Sequence, residues 1–229
     1  MIDSTHPFDA RTARQIARAF LPQQWSGNRY DYYYAQVKLR TDPLYPGVLA
    51  ALRGSRAPVL DLGCGLGLLA HALRADGQTL PYLGVDVDTA KIRRARAGAA
   101  RSRLDNANFQ VLDLDGGAPL HSGSVTILDL LQYLPSDRQR DLLATTTAML
   151  TPGARLVVRT GLADDTRRSD ATWMTDRLAH TFGWMRQRPG LYPTREGLQM
   201  QLRQAGLAPV IQPLYGRTPF NNWLIVATR

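Results

Sequence analysis

The sequence is poor in cysteine, lysine and glutamate. Cys64 is the only cysteine among 229 residues, which excludes an intramolecular disulfide and a metal cluster built from cysteine thiolates. Lys38 and Lys91 are the only lysines and Glu196 is the only glutamate, so arginine and aspartate carry nearly all of the charge. No apolar run approaches the roughly 20 residues of a membrane span, and the polar N-terminus lacks the apolar stretch of a signal peptide. We therefore expect a cytoplasmic protein.

The charge that is present is strongly basic and unevenly placed. The formal net charge is +9, from 28 Lys and Arg against 19 Asp and Glu. Residues 57–159 are almost neutral, with 11 basic and 10 acidic groups, so the surplus lies in the two flanks. A basic surplus suits an anionic partner such as nucleic acid or an acidic protein. With 44% hydrophobic residues the chain has enough apolar material for a normal core, and one domain over 1–229 is predicted.

Short apolar runs alternate with helical stretches in the middle of the chain, over residues 57–160. Five runs predict strands, at Pro58–Leu62, Leu80–Val87, Asn108–Leu114, Val125–Leu131 and Arg155–Thr160. Three stretches between them predict helices, at Leu66–Ala75, Thr89–Arg103 and Asp137–Leu150. This alternation predicts an α/β fold with a doubly wound parallel sheet covered by helices on both faces.

The two flanks have a different pattern from the middle. Residues 1–56 predict three helices, at Ala10–Leu21, Asn28–Arg40 and Tyr45–Leu52. Residues 161–229 predict two helices and two strands, at Arg167–Gly183, Thr194–Ala205, Pro209–Tyr215 and Asn222–Thr228. A closing pair of strands is most easily a hairpin, which would add an antiparallel strand to the parallel sheet.

A glycine-rich loop joins the first predicted strand to the first helix of the middle segment. The strand ends at Asp61, and Gly63, Gly65 and Gly67 follow. Glycines there allow a sharp turn and a close approach of the backbone to a ligand, and the free N–H groups of a helix N-terminus favour a nucleotide-like molecule. The dinucleotide fingerprint G-x-G-x-x-G would require glycine where Leu68 stands, so a dinucleotide is disfavoured.

This loop, D-x-G-x-G-x-G, resembles the first motif of class I S-adenosylmethionine-dependent methyltransferases. Four further parts of the resemblance follow in order: Asp86 ends the second strand, Asp113 lies at the end of the third, residues 127–134 carry the fourth, and Leu150-Thr151-Pro152-Gly153 leads into the fifth. The resemblance implies a Rossmann-like, seven-stranded sheet, mostly parallel with one antiparallel strand, and helical lid segments from both flanks. It also implies S-adenosyl-L-methionine as the cofactor.

The resemblance further implies which residues contact that cofactor. The carboxylate of Asp86 would accept from the ribose hydroxyls, and that of Asp113 from the adenine amino group. Each residue also has a competing interpretation. Asp86 would be a helix cap and Asp113 a solvated carboxylate. The glycines would serve tight packing, and Cys64 would be a simple turn residue. The predicted cofactor site comprises Asp61, Gly63, Cys64, Gly65, Gly67, Asp86, Val87, Asp113, Leu114, Leu130, Tyr34 and Lys38.

The residues that act on the methyl acceptor are less marked. Asp129, Tyr133 and Arg159 stand at predicted strand ends and are the catalytic candidates, with packing or local hydrogen bonding as the alternative. Gln132 occupies the position where many small-molecule members carry histidine, and it cannot act as a base. The N/D-P-P-Y/F motif of DNA amino methyltransferases is absent here, which disfavours methylation of a nucleic-acid base.

The flanks suggest what the acceptor is. Arg11, Arg14 and Arg18 share one helix face, and an aromatic and basic cluster containing Tyr34 and Lys38 follows. The stretch over residues 29–46 and the ending from 219 to 224 resemble methyltransferases encoded with bacterial aryl-polyene pigment pathways. That resemblance implies a hydroxylated aromatic acyl acceptor on an acidic acyl carrier protein. The alternatives are an RNA methyltransferase and a non-catalytic cofactor-binding or carrier-docking protein.

Overall fold

The computed structural model describes residues 6–163, 192–215 and 221–229. A single seven-stranded sheet in the order β3-β2-β1-β4-β5-β7-β6 is its centre. The strands are β1 Val59–Leu62, β2 Tyr82–Asp86, β3 Ala107–Val111, β4 Ser124–Leu128, β5 Leu156–Gly161, β6 Ala208–Pro213 and β7 Asn222–Thr228.

Strands β1 to β5 pair in parallel, and β7 is antiparallel to both of its neighbours, β5 and β6. The mostly parallel sheet with one antiparallel strand and the pairing of the last two strands are therefore confirmed. The strand order reverses direction between β1 and β4. Ligands of open α/β sheets bind at the carboxyl ends of the strands beside such a switch point.

Helices cover both faces of the sheet, as predicted for a doubly wound fold. The described α-helices are α1 Ala10–Ala17, α2 Tyr30–Thr41, α3 Leu44–Leu52, α4 Leu68–Ala75, α5 Thr89–Arg101, α6 Ser136–Ala148 and α7 Arg195–Gln204. The apolar residues of α1 to α5 pack on one face, against Val59, Tyr82 and Val157. Those of α6 and α7 pack on the other, against Leu60 and Val125. Neighbouring strand residues thus enter opposite cores because side chains alternate across a strand.

The N-terminal flank is part of the main core. The buried side chains of α1, α2 and α3 belong to the same apolar cluster as those of α4 and α5. Phe20, in the 3-10 turn that follows α1, packs against Gly98 of α5. A Cβ on Gly98 would lie 3.0 Å from the Phe20 ring. None of the helices that the structure describes is long and apolar enough to cross a membrane.

Several elements end differently from the prediction. β3 stops at Val111, and Asp113 then caps a short 3-10 helix at Leu114–Gly116. β4 stops at Leu128 because Asp129 adopts a left-handed conformation with φ of 57°, and the predicted strand end becomes a second 3-10 helix, Leu131–Tyr133. The predicted helix over 167–183 and the turn over 217–219 lie outside the described residues.

Candidate active site

The glycine loop connects the end of β1 to α4 at the carboxyl edge of the sheet. Gly63, Gly65 and Gly67 have φ values of 74°, 56° and 72°, a region that L side chains rarely occupy. The N–H groups of Gly63 and Cys64 both donate to the carbonyl of Val85 on β2, at 2.8 and 2.9 Å. The loop is therefore held against the neighbouring strand and presents its outer side to solvent.

The three glycines meet different surroundings. A Cβ on Gly67 would lie 2.3 Å from Phe109 Cε1, so this glycine is required by packing. A Cβ on Gly63 would lie 3.4 Å from Leu130, which brings the end of β4 beside the loop. A Cβ on Gly65 would meet no described atom within 4 Å, so the backbone there borders open space. Packing thus explains Gly67, while the space over Gly65 is where a ligand can approach.

Asp86 stands at the end of β2 directly beside this loop. One of its oxygens accepts from the N–H of Gly65 at 2.9 Å, and the other accepts from the N–H of Asp88 at 2.8 Å. The alternative cap role falls to Asp88, whose Oδ1 accepts from the N–H groups of Ala90 and Lys91 at the start of α5. Asp86 is therefore oriented toward the loop rather than toward a helix. Val87, the next predicted cofactor residue, is 64% exposed beside it.

Asp61 lies beneath the loop. Its carboxylate accepts from the Tyr82 hydroxyl at 2.6 Å and from the Thr126 hydroxyl at 2.7 Å, linking β1 to both neighbouring strands. Burial raises the pKa of Asp61 to about 6, against the opposing effect of these two hydrogen bonds. The structure therefore buries Asp61 beneath the loop. Neither of its oxygens is exposed for the predicted direct contact with the cofactor.

The other predicted cofactor residues differ in how they face the site. Asp113 is exposed and accepts from the N–H of Asp115 at 2.9 Å, so it caps the short 3-10 helix. Its exposed carboxylate is also open to the predicted contact with an adenine. Leu114 is half-buried against the second core. The Cys64 side chain packs onto Gly84 of β2, where a Cβ would lie 2.8 Å from Sγ, and burial raises the pKa of the thiol. Only the backbone of Cys64 faces the loop surface.

Four charged side chains form a network at the carboxyl ends of β4 and β5, next to the glycine loop. We call Lys38, Asp42, Asp129 and Arg159 the charge network. Lys38 Nζ lies 2.6 Å from Asp42 and 3.4 Å from Asp129. Arg159 contacts Asp42 at 3.1 Å through Nη2 and Asp129 through Nη1. The network ties α2 and the residue after it to the two central strands.

Burial and pairing act against each other within the charge network. Burial alone would raise the pKa of Asp42, but Arg159 and Lys38 outweigh it and lower that pKa to about 2. Burial likewise opposes the charged forms of Lys38 and Arg159, whose pKa values are nevertheless raised by the two carboxylates. Asp42, Lys38 and Arg159 therefore stay charged near neutral pH. Asp42 was not predicted as a site residue; its spacing of four from Lys38, across the end of α2, is the one local signal for it.

Two stacked tyrosine rings, which we call the aromatic ladder, lie on α2 in the turns before Lys38 of the charge network. The rings of Tyr30 and Tyr34 stack with centroids 6.3 Å apart and planes 10° from parallel, and Lys38 follows one turn later. Burial raises the pKa of Tyr34, so its phenol keeps its proton. Tyr30 is 45% exposed and forms the open end of the ladder. The fold thus brings Lys38, predicted as a cofactor residue, beside Asp129, predicted as a catalytic candidate, with Tyr34 one helical turn away.

The remaining catalytic candidate, Tyr133, lies on the 3-10 helix after β4. Tyr133 is half-buried, and Gln132 is buried with its Oε1 accepting from the Thr160 hydroxyl at 3.2 Å. Arg159 is only 2% exposed. Of the three predicted residues, Asp129 is the one that belongs to the charge network and directly precedes Leu130, whose side chain lies against Gly63 of the glycine loop.

Comparison with known proteins identifies the middle of the chain. Residues 60–156 match the family described as "Methyltransferase domain". This part of the chain is therefore similar to class I methyltransferase domains. S-adenosylmethionine is the methyl donor of this class, and the residues present fit it: the loop at Gly65 borders open space, and Asp86 is held at its rim.

Relatives of the methyltransferase domain agree with this assignment. The ubiquinone biosynthesis O-methyltransferase of Xanthomonas campestris is 28% identical over 116 residues, which are 51% of this chain and 47% of that protein. The matched region thus spans about half the length of this curated relative. The fold is shared with an O-methyltransferase family protein from Burkholderia thailandensis, with a TM-score of 0.68 and 19% identity over 100% of this chain and 65% of that one. Magnesium protoporphyrin IX methyltransferase from Synechocystis, solved with bound S-adenosylhomocysteine, has a TM-score of 0.62 and 16% identity over 93% and 91%.

Proposed function

We propose that this chain transfers a methyl group from S-adenosylmethionine to a hydroxyl oxygen of a small aromatic acceptor. The observation that carries the proposal is the glycine loop, whose backbone borders open space at Gly65 and whose rim is formed by Asp86 and Leu130. When bound, S-adenosylmethionine supplies an electrophilic methyl carbon on a sulfonium. The matches to ubiquinone biosynthesis O-methyltransferases support oxygen as the methylated atom.

The chain's own residues would hold and orient both reactants. The glycine loop, Asp86, Val87 and Asp113 would hold the cofactor at the carboxyl ends of β1 to β3. The Tyr30–Tyr34 stack offers aromatic faces beside the charge network, which suits a planar acceptor. Orientation and exclusion of water supply much of the acceleration in methyl transfer. A phenolic hydroxyl also loses its proton as its oxygen takes the methyl group, and that proton would pass to a neighbouring carboxylate such as Asp129 or to solvent water.

Calorimetric titration with S-adenosylmethionine is the first test of the proposal. We expect binding by the wild-type chain and at least roughly a tenfold loss of affinity in Asp86→Ala, because a charge-assisted hydrogen bond of ordinary strength accounts for that factor. Asp105→Ala is the matched control, since this exposed aspartate precedes β3 at the opposite edge of the sheet. Equal affinity in Asp86→Ala and the wild type would count against the assigned cofactor site.

Transfer of a radiolabelled methyl group to simple catechols and hydroxylated cinnamoyl compounds then tests catalysis. The chain is expected to label the hydroxyl oxygen. Cofactor binding without transfer to any phenolic or acyl acceptor would favour the non-catalytic binding protein instead.

A narrower proposal concerns the form of the acceptor: a hydroxylated aromatic acyl unit on an acyl carrier protein, as in aryl-polyene-type pigment biosynthesis. Its support is the basic face of α1, where Arg11, Arg14 and Arg18 are all exposed. Among the described residues, none of the three forms an ion pair with a carboxylate. Such a face complements an acidic protein.

The partner is tested by binding at increasing salt. The combined Arg11→Ser, Arg14→Ser and Arg18→Ser variant should lose salt-sensitive binding to an acidic acyl carrier protein. A variant with Arg140→Ser and Arg203→Ser, both exposed on helices of the other face, is the control. Salt-sensitive retention on RNA, with none on the carrier protein, would support the alternative of an RNA methyltransferase.

A further inference from the structure

The charge network is balanced and almost fully satisfied. Its two cations face two carboxylates. Asp42 Oδ1 accepts from the N–H of Leu44 at 2.9 Å and from Arg159 at 3.2 Å, and its Oδ2 accepts from Lys38. Asp129 Oδ2 accepts from both Lys38 and Arg159. The network therefore has no surplus charge with which to attract a net anion.

Two polar atoms of the network have no hydrogen-bond partner among the described residues: Arg159 Nε, which is buried, and one oxygen of Asp129. Asp129 Oδ1 accepts no hydrogen bond from any residue in the described parts of the chain. The side chain of Asp129 is 31% exposed, whereas those of Asp42 and Arg159 are 8% and 2% exposed. Asp129 Oδ1 is thus the point at which the buried network meets the open site.

The backbone places Asp129 at the carboxyl edge of the sheet, one residue before the contact with the glycine loop. Asp129 is one of few non-glycine residues with positive φ, at 57°, a conformation that aspartate tolerates at modest cost. Its N–H donates to the carbonyl of Arg159 at 2.9 Å, which fixes the turn at the end of β4. The next residue, Leu130, lies against Gly63 of the glycine loop. Asp129, whose side chain is partly exposed, therefore borders the surface on which the cofactor is proposed to lie.

We propose that Asp129 Oδ1 is the docking point for a hydrogen-bond-donating group, a hydroxyl or an amino group, of a ligand bound beside the glycine loop. Arg159 and Lys38 are positioning residues that hold the carboxylate through its other oxygen. An ion-paired carboxylate only accepts hydrogen bonds, so a carboxylate or phosphate on the ligand is rejected at this point. The inference rests on the proposed function, and the donor is either the hydroxyl of the acceptor or the amino group of the cofactor.

Asp129→Asn tests the docking point with little change of shape. Arg159 and Lys38 only donate, so the amide oxygen must turn toward them and leave its NH2 group facing the ligand. An amino group of the cofactor then meets a donor, and a hydroxyl of the acceptor can only accept from a neutral amide instead of donating to a carboxylate. In either case the charge-assisted hydrogen bond is lost, and we expect roughly a tenfold loss of affinity for the ligand concerned. Asp76→Asn is the control, because Asp76 is also ion-paired, with Arg53, at 2.8 Å at the far end of α4.

Two titrations of the Asp129→Asn chain identify the ligand. Weaker binding of both S-adenosylmethionine and S-adenosylhomocysteine assigns the donor to the cofactor's amino group. Unchanged cofactor affinity with weaker binding of methyl 3,4-dihydroxybenzoate to the homocysteine-loaded chain assigns it to the acceptor's hydroxyl. The inference is overturned if the wild type binds S-adenosylmethionine and the variant matches it in both titrations. Failure of both chains to bind methyl 3,4-dihydroxybenzoate, with equal cofactor affinity, counts as such a match. A wild-type chain that binds no cofactor overturns the proposed function itself, and this inference with it.

The positioning role is tested separately. Arg159→Met should weaken the same ligand that Asp129→Asn weakens, and Arg159→Lys should restore part of the affinity because it returns a cation to the network. Lys38→Met serves if the Arg159 variants do not fold, since Lys38 is 23% exposed. Positioning is refuted if these changes lower only the melting temperature and leave ligand affinity unaltered in the folded chain.

Discussion

At the residue scale, positive φ and local packing separate glycines that look alike in the sequence. Gly65 and Gly67 lie two residues apart in one motif, yet the first borders open space and the second is enclosed by Phe109. Gly77, which follows α4, also has positive φ, at 78°, and a Cβ added there would meet no described atom within 4 Å. These three positions separate backbone strain, packing and ligand binding.

We predict that alanine at these three glycines has three distinct effects. Gly77→Ala should cost about 1 kcal/mol of unfolding free energy, from its left-handed backbone alone. Gly65→Ala should cost about the same and should also lose S-adenosylmethionine affinity, because its methyl group enters the ligand space. Gly67→Ala should be the least stable, by at least about 2 kcal/mol more, because the methyl group collides with Phe109.

Chemical denaturation and calorimetry check these effects together. If Gly65→Ala kept wild-type affinity, the open space over this glycine would not be the cofactor site. Equal stability of Gly67→Ala and Gly77→Ala would contradict the packing argument.

At the scale of elements, the N-terminal flank and the methyltransferase core share one apolar cluster. Phe20 packs against Gly98 of α5 and lies with its ring 5.1 Å from that of His71 on α4. A flank joined in this way should unfold together with the core. The sequence pattern predicted the flank's helices but not which face of the sheet they cover.

We predict that Phe20→Ala lowers the stability of the whole chain by roughly 3 kcal/mol or more, with one cooperative transition retained. Leu120→Ala is the control because Leu120 is fully exposed. Thermal unfolding followed by far-ultraviolet circular dichroism and by tryptophan fluorescence measures both variants. Two separate transitions, with only one of them shifted by Phe20→Ala, would show that the flank is an independent unit.

At the scale of the whole molecule, two buried groups give opposite contributions to the pH dependence of stability. His71 is 4% exposed, and burial lowers its pKa from 6.5 to about 4. The stability it contributes is present above pH 6.5 and is lost as the pH falls through 4. Asp61 has its pKa raised from 3.8 to about 6, so its contribution is present below pH 3.8 and is lost as the pH rises through 6.

We predict that His71→Leu flattens the loss of stability between pH 6.5 and 4, by an amount on the order of 3 kcal/mol. Asp61→Asn should act in the other direction, removing the decline between pH 4 and 6. Urea denaturation at half-unit steps of pH measures both curves. A His71→Leu chain that is as acid-sensitive as the wild type would show that the buried imidazole is not the responsible group.

Local patterns in the sequence predicted much of the fold and part of the site. Alternating apolar runs and helices predicted the doubly wound sheet, because strand and helix periodicities are local properties of the chain. The glycine loop and Asp86 were predicted together because both stand at the carboxyl ends of adjacent parallel strands. The left-handed turn at Asp129 was missed, since no glycine marks it.

The sequence by itself determined the order of strands and helices, the glycine loop and the class of cofactor, since each depends on residues within one strand–loop–helix unit. Only the tertiary structure decided the surroundings of the charged groups. Arg159 and Asp42 lie 117 positions apart in the chain and meet because α2 is packed over the end of β5. Asp61 likewise became a buried support rather than an exposed ligand because β2 and β4 bring Tyr82 and Thr126 to its two oxygens. Charges separated by that distance in sequence have no local pattern, and their burial and pairing exist only once the chain has folded.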